Sequence, residues 1–268
     1  MSSGPTARWH TRAARARHLA GLRVEASELL AFYASVATYQ AGLLERWLPV
    51  VERPPASTLR AAIDASLPIS AVGDALAWLE RDAPDGIRRA LPAIRRMDAA
   101  GWRAQLDTLL SGVVEEETPE AAAAFVLEML VQPLAEHLSE GFVPASGGHA
   151  ARCPFCVGAP VAGILREEGQ GARRYLLCGV CLSEWGFGRV GCAACGERAF
   201  DALPVFTAEE APGVRIDGCD TCRRYLKTFD LSTDGLQVPL ADDLATVTLD
   251  LWAREQGYGR IRRHLLRI

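Results

Sequence analysis

The sequence predicts an α+β multidomain fold: an N-terminal all-α domain, then two rubredoxin-like or zinc-ribbon modules, then a C-terminal helix. Three observations predict it. All eight cysteines lie between Cys153 and Cys222, with none in the first 152 residues or the last 46. Before that boundary, apolar residues recur at helical spacing. After it, short apolar pieces alternate with glycines and Cys-x-x-Cys pairs, until helical spacing returns near the end.

Residues 1–20 carry Arg8, Arg12, Arg15 and Arg17 and no acid, and are expected to be a basic, partly disordered N-terminus. No apolar core or small-residue cleavage pattern for secretion accompanies them. Residues 21–145 are expected to form the all-helical domain. Leu22, Leu29, Tyr33, Val36, Leu43, Leu44 and Trp47 recur at about helical spacing up to Pro49. Short helices follow around Leu76–Leu79 and Trp102–Leu110. A longer one is expected from the N-cap candidate Thr118, with Pro119 at its first position, to Gly141. Gly141–His149 reads as a linker. The first module is placed at 146–190, the second at 191–239, and the C-terminal helix and tail at 240–268. Strands are expected at Pro160–Leu165, Arg173–Leu177 and Trp185–Val190, with a further hairpin from Leu203–Phe206 and Gly213–Ile216. Asp242 or Asp243 is expected to cap the last helix.

Composition narrows the function. The 268 residues are 49% hydrophobic and 23% charged, with a net charge of −4. The part from Arg152 onward is balanced, and the negative charge resides before it. Neither part offers the basic face that phosphate contacts need, so no nucleic acid is expected. No apolar run approaches the ~18 residues that span a bilayer, so no membrane insertion is expected. The cytoplasm is the expected compartment.

The cysteines carry the chemistry. Cys153-x-x-Cys156 is followed by Cys178-x-x-Cys181, Cys192-x-x-Cys195 and Cys219-x-x-Cys222, with gaps of 21, 10 and 23 residues. A Cys-x-x-Cys turn points two sulfurs at one place, and two such turns make the tetrahedral shell that Zn²⁺ or a rubredoxin-type iron prefers. Four turns make two shells with no cysteine left over. The expected ligands are Cys153, Cys156, Cys178 and Cys181 for one site, and Cys192, Cys195, Cys219 and Cys222 for the other. Sequential pairing is preferred because the hairpins fill the longer gaps; a cross-braced pairing of first with third and second with fourth is the alternative. A disulfide framework would need an oxidising compartment. A thioredoxin-like site would need one motif in a βαβ setting. Each module is too small to bury a large core, so metal is expected to contribute to folding. A closed Cys₄ shell leaves no coordination position for substrate, so no catalytic residue is assigned. Trp185, Tyr225 and the chain's only lysine, Lys227, are weaker candidates for partner contacts.

These residues resemble the formate dehydrogenase accessory protein family, FdhE. The matching pieces are Cys153–Gly163, Arg174–Trp185, Arg189–Gly196, Cys219–Lys227, Asp242–Asp250 and Glu255–Tyr258. Glu184-Trp185 after the second knuckle, Tyr225-Leu-Lys227 after the fourth and Asp242-Asp-Leu-Ala245 make the match specific. The resemblance implies a cytoplasmic, non-enzymatic maturation factor. It would bind the catalytic subunit of respiratory formate dehydrogenase, be needed for its activity, and carry two iron ions in rubredoxin-like Cys₄ sites, with zinc as the alternative metal. Two departures stand out. Val157 occupies a position where glycine is common, and the tail from Gly259 to Ile268 lacks an Asn-Pro. Two other functions remain open: an iron redox protein acting on a client thiol or selenol, and a zinc-ribbon nucleic-acid-binding protein.

Overall fold

A computed structural model describes residues 4–51, 56–111, 121–144, 151–169 and 171–266. Seven helices come first: α1 (Ala7–Ala20), α2 (Ser27–Trp47), α3 (Leu59–Ser66), α4 (Ala71–Asp82), α5 (Asp85–Ile94), α6 (Ala99–Ser111) and α7 (Ala121–Ser139). The sheet follows: β1 (Pro160–Glu168), β2 (Gly171–Cys178), β3 (Glu184–Gly186), β4 (Val205–Thr207), β5 (Val214–Cys219) and β6 (Arg224–Asp230). Two short helices, α8 (Pro239–Ala245) and α9 (Val247–Glu255), and a final strand, β7 (Gly259–Arg260), complete it.

The N-terminal segment corrects the expectation of partial disorder. Trp9, Ala13, Ala16 and Leu19 repeat every three to four residues, and this stripe is buried in α1 where it packs on α2. Its arginines are used structurally. Arg12 pairs with Glu136 of α7 at 2.7 Å, and Arg15 with Asp242 of α8 at 2.6 Å. Leu22 does not belong to α2; it is exposed in the turn between α1 and α2.

Helix α7 is the axis of the helical part, touched by α2, α3, α4, α5 and α6. It is long and apolar enough to cross a membrane, but 78% of that window is buried by its neighbours, as in a core helix. The N-cap expected at Thr118 and the linker residues 145–149 lie outside the described residues.

The two modules share one topology. In each, a knuckle leads into an antiparallel hairpin, a second knuckle follows, and a third strand pairs back on the hairpin. This gives β1-β2-β3 in the first and β4-β5-β6 in the second. The two meanders then join through a parallel pairing of β1 with β6, Gly163 to Leu165 against Thr228 to Asp230, making one mixed sheet of order β3-β2-β1-β6-β5-β4. Gly163 permits the junction, because a Cβ there would overlap the Thr228 side chain. β7 continues the β1 side of β6, pairing in parallel with Arg224 and Tyr225.

One cluster of buried residues runs from Trp9 and α7 to Cys153, Cys178, Phe229 and Leu265. Apolar burial therefore reaches the cysteine segment from the helices, so metal is not its sole organiser.

The C-terminus departs from the single capped helix. Val238 is the N-cap, Pro239 takes the first turn, and the chain breaks between α8 and α9 at Thr246. Asp242 lies inside α8, where its carboxylate accepts the Val238 amide at 2.7 Å. Asp243 is buried and takes no part in capping.

Candidate metal centre

Each knuckle is built by the same local device. The backbone turns so that the residue after the second cysteine enters the left-handed region: Val157 (φ 64°), Leu182 (φ 56°), Gly196 (φ 80°) and Arg223 (φ 54°). That turn lets its amide donate to the carbonyl of the first cysteine, as Val157 does to Cys153, Gly196 to Cys192 and Arg223 to Cys219, at 2.9–3.0 Å. Other amides face the sulfurs: Val180 N–H donates to Cys178 Sγ and Ala194 N–H to Cys192 Sγ, both at 3.3 Å.

The sulfurs converge in two groups of four, Cys153, Cys156, Cys178 and Cys181, then Cys192, Cys195, Cys219 and Cys222, each within 4.8 Å of one another. The pairing is sequential rather than cross-braced. In the first group, Cys153 and Cys181 lie 3.5 Å apart and Cys156 and Cys178 3.4 Å. In the second, Cys192–Cys222 and Cys195–Cys219 are both 3.7 Å. A tetrahedron with metal–sulfur bonds of ~2.3 Å has edges of ~3.8 Å. Both groups fit such a shell, and the residues around them respect it. At Gly158, a Cβ would press on Cys178 Sγ at 3.0 Å and Cys156 Sγ at 3.2 Å.

The thiols respond to their crowding. Burial pushes Cys178 up, but hydrogen bonds from Cys153, Cys156 and Cys181 outweigh it and hold the group well below the ordinary thiol range. Cys156 and Cys181 are driven up, first by hydrogen bonding with Cys153. Four sulfurs this close share negative charge reluctantly; a divalent cation at their centre is what lets all four ionise.

The two shells differ in setting. All four sulfur residues of the first are buried, whereas Cys195 of the second is exposed and Cys222 partly so. The first is also clamped by the helical part. Gln132 of α7 donates to the Gly179 carbonyl at 3.1 Å, and Arg262 pairs with Glu128 of α7. Arg262 packs so tightly on Gly179 that a Cβ there would overlap its guanidinium stem. The second shell is tied by Glu197, which accepts from the Arg198 and Ala199 amides and from Thr221 of the opposite knuckle at 2.7–2.9 Å.

Residues 152–189 match the model for the FdhE central domain, and residues 190–266 that for the FdhE C-terminal domain. The chain is 40% identical over 115 residues to an FdhE homolog from Aquifex aeolicus, covering 42% of this chain and 41% of that one. It is 31% identical over 208 residues to an FdhE homolog from Stutzerimonas stutzeri, covering 71% and 64%. The matched regions thus span less than two thirds of these curated relatives. The crystal structure of the FdhE protein from Pseudomonas aeruginosa superposes with a TM-score of 0.76 at 27% identity, over 97% of this chain and 96% of that one. The chain belongs to the FdhE family.

Within this FdhE fold, the three weaker candidates turn inward. Lys227 is fully buried, its ammonium paired with Asp243 at 2.8 Å and Asp250 at 2.5 Å. Tyr225 is buried and donates to Asp250 Oδ1 at 2.5 Å. Arg260 closes the network, reaching Asp243 at 2.6 Å and Asp250 at 3.1 Å. Trp185 is largely buried in the core beside β2. Lys227, Tyr225 and Arg260 together hold β6, α8, α9 and β7 through Asp243 and Asp250. Asp243 and Asp250, seven apart, were the available signal: a lone lysine in an apolar strand needs counter-charges. The tail after Gly259 likewise has a structural role, with Arg260, Arg262 and His264 all buried.

Proposed function

We propose that the chain is a cytoplasmic, non-catalytic maturation factor that binds the catalytic subunit of respiratory formate dehydrogenase and is needed for its activity. The two Cys₄ shells hold iron in this reading, with zinc the alternative. The observation that carries it is the pair of complete thiol tetrahedra in an FdhE fold. Four thiolates saturate a tetrahedral ion, which suits a structural or one-electron role better than substrate activation. The test has two arms: capture of the catalytic subunit by the tagged chain, and formate oxidation in a strain lacking the gene. Association with loss of formate oxidation is expected. No association together with normal oxidation overturns the proposal. Metal analysis of natively expressed protein distinguishes iron from zinc.

A redox reading is favoured by one observation, the solvent exposure of Cys195 and Cys222 in the second shell. An iron centre there could exchange one electron with a partner. A colourless, zinc-containing protein from native cells removes it.

A further inference from the structure

We propose that the cavity beside the second cysteine shell binds a small free oxyanion of carboxylate or phosphate size. The cavity measures about 80 Å³ and abuts Cys192. It has room for two or three water-sized groups at roughly 30 Å³ each. Four arginines, Arg174, Arg189, Arg215 and Arg224, are among its lining residues, and Asp217 is the one acidic residue among them.

That carboxylate is already shared. Arg174 reaches Asp217 at 2.9 Å and Arg215 reaches it at 2.8 Å. Arg174 is only 5% exposed, and its Nε is buried without a hydrogen-bond partner. Arg224 donates one Nη to the Arg260 carbonyl at 3.1 Å. Arg189 is exposed and has no ion-pair partner among the described residues. A buried, incompletely satisfied guanidinium costs free energy, and an oxyanion offers the planar acceptors that its fork matches. Val190, Phe200 and Val205 border the cavity.

The proposal is independent of the maturation role. Its test is isothermal titration of the metal-loaded full chain at low ionic strength, with inorganic phosphate and with acetate in separate runs. Saturable binding of one equivalent is expected, and the arm that binds more tightly names the class. Arg189→Gln and Arg215→Gln, both outside the metal shells, should each weaken binding by about tenfold, as removal of one charged hydrogen-bond donor does. Circular dichroism and metal content of Arg189→Gln should be unchanged, since Arg189 is exposed. Absence of saturable binding to the wild type overturns the proposal, as does binding that both variants leave intact. Loss of metal from Arg189→Gln with unchanged anion binding assigns the arginines to the thiolate shell instead, and likewise overturns it.

Discussion

Acidification should destabilise this protein through His264, well before most carboxylates titrate. The ring is fully buried. Its Nδ1 accepts the Leu266 amide at 3.1 Å, and its Nε2 lies 3.0 Å from the Leu240 carbonyl, so the ring is the neutral tautomer with the proton on Nε2. Tyr33 meets it edge-on at 5.2 Å. Burial, the largest influence, draws the pKa from 6.5 to about 4; Asp243 pulls it up, and Arg260 and Lys227 push it down. The unfolded chain takes up its proton near 6.5, the folded chain only near 4, so between those values the unfolded state holds more protons. Stability is therefore lost as pH falls through that window and is unaffected by this group above it. At 1.36 kcal/mol per pH unit, the loss reaches about 3 kcal/mol by pH 4. That is a large share of a typical stability of about 5–15 kcal/mol.

The assay is denaturant unfolding at pH 7, 6, 5 and 4 for the wild type and for His264→Gln, with metal content followed throughout. Protonation of cysteine thiolates acts on both proteins, so their difference isolates the histidine. The stability advantage of the wild type should shrink by about 3 kcal/mol between pH 7 and 4. Parallel curves would refute the reasoning and show that His264 titrates alike in both states.

Three further outcomes follow from the geometry. Val157 is 61% exposed yet held at φ 64°, so Val157→Gly should stabilise by about 0.5–1 kcal/mol and raise the melting temperature by about 2 °C, read by calorimetry. Lys227→Ala leaves Asp243 and Asp250 sharing the single cation Arg260 and should cost about 3–5 kcal/mol in chemical denaturation; a cost under about 1 kcal/mol would contradict the buried pairing. A chelator should strip the second shell before the first, because Cys195 and Cys222 are open to solvent, and alkylation with mass spectrometry should find Cys192, Cys195, Cys219 and Cys222 modified first.

Local signals were legible and non-local ones were not. The knuckles, the β1–β2 hairpin and the course of α2 and α7 all follow from spacing within some twenty residues, and so could be read directly. The joining of the meanders depends on Gly163 meeting Thr228, residues far apart in sequence with no shared motif. Helix α1 is hard to read from the sequence because half of its buried face is alanine, Ala13 and Ala16, which periodicity weighs lightly, while its arginines dominate the composition. Lys227 and Tyr225 looked like surface features because their partners sit on α8, α9 and β7, beyond reach of any local pattern.

The same meander occurs twice, but its two copies are used differently. In the first, the second knuckle is held by Gln132 of α7, which donates to Gly179, and by Arg262 of the tail, which packs on Gly179 and pairs with Glu128 of α7. Filling that shell must therefore bear on how the helical part and the C-terminus pack, since all three share one buried cluster. The second shell touches none of these clamps. Its knuckles are tied to each other through Glu197 and Thr221, it faces solvent through Cys195, and it borders the arginine-lined cavity. A cation in the first shell would thus bear on the packing of the whole chain, whereas a cation in the second could exchange with less movement of the fold.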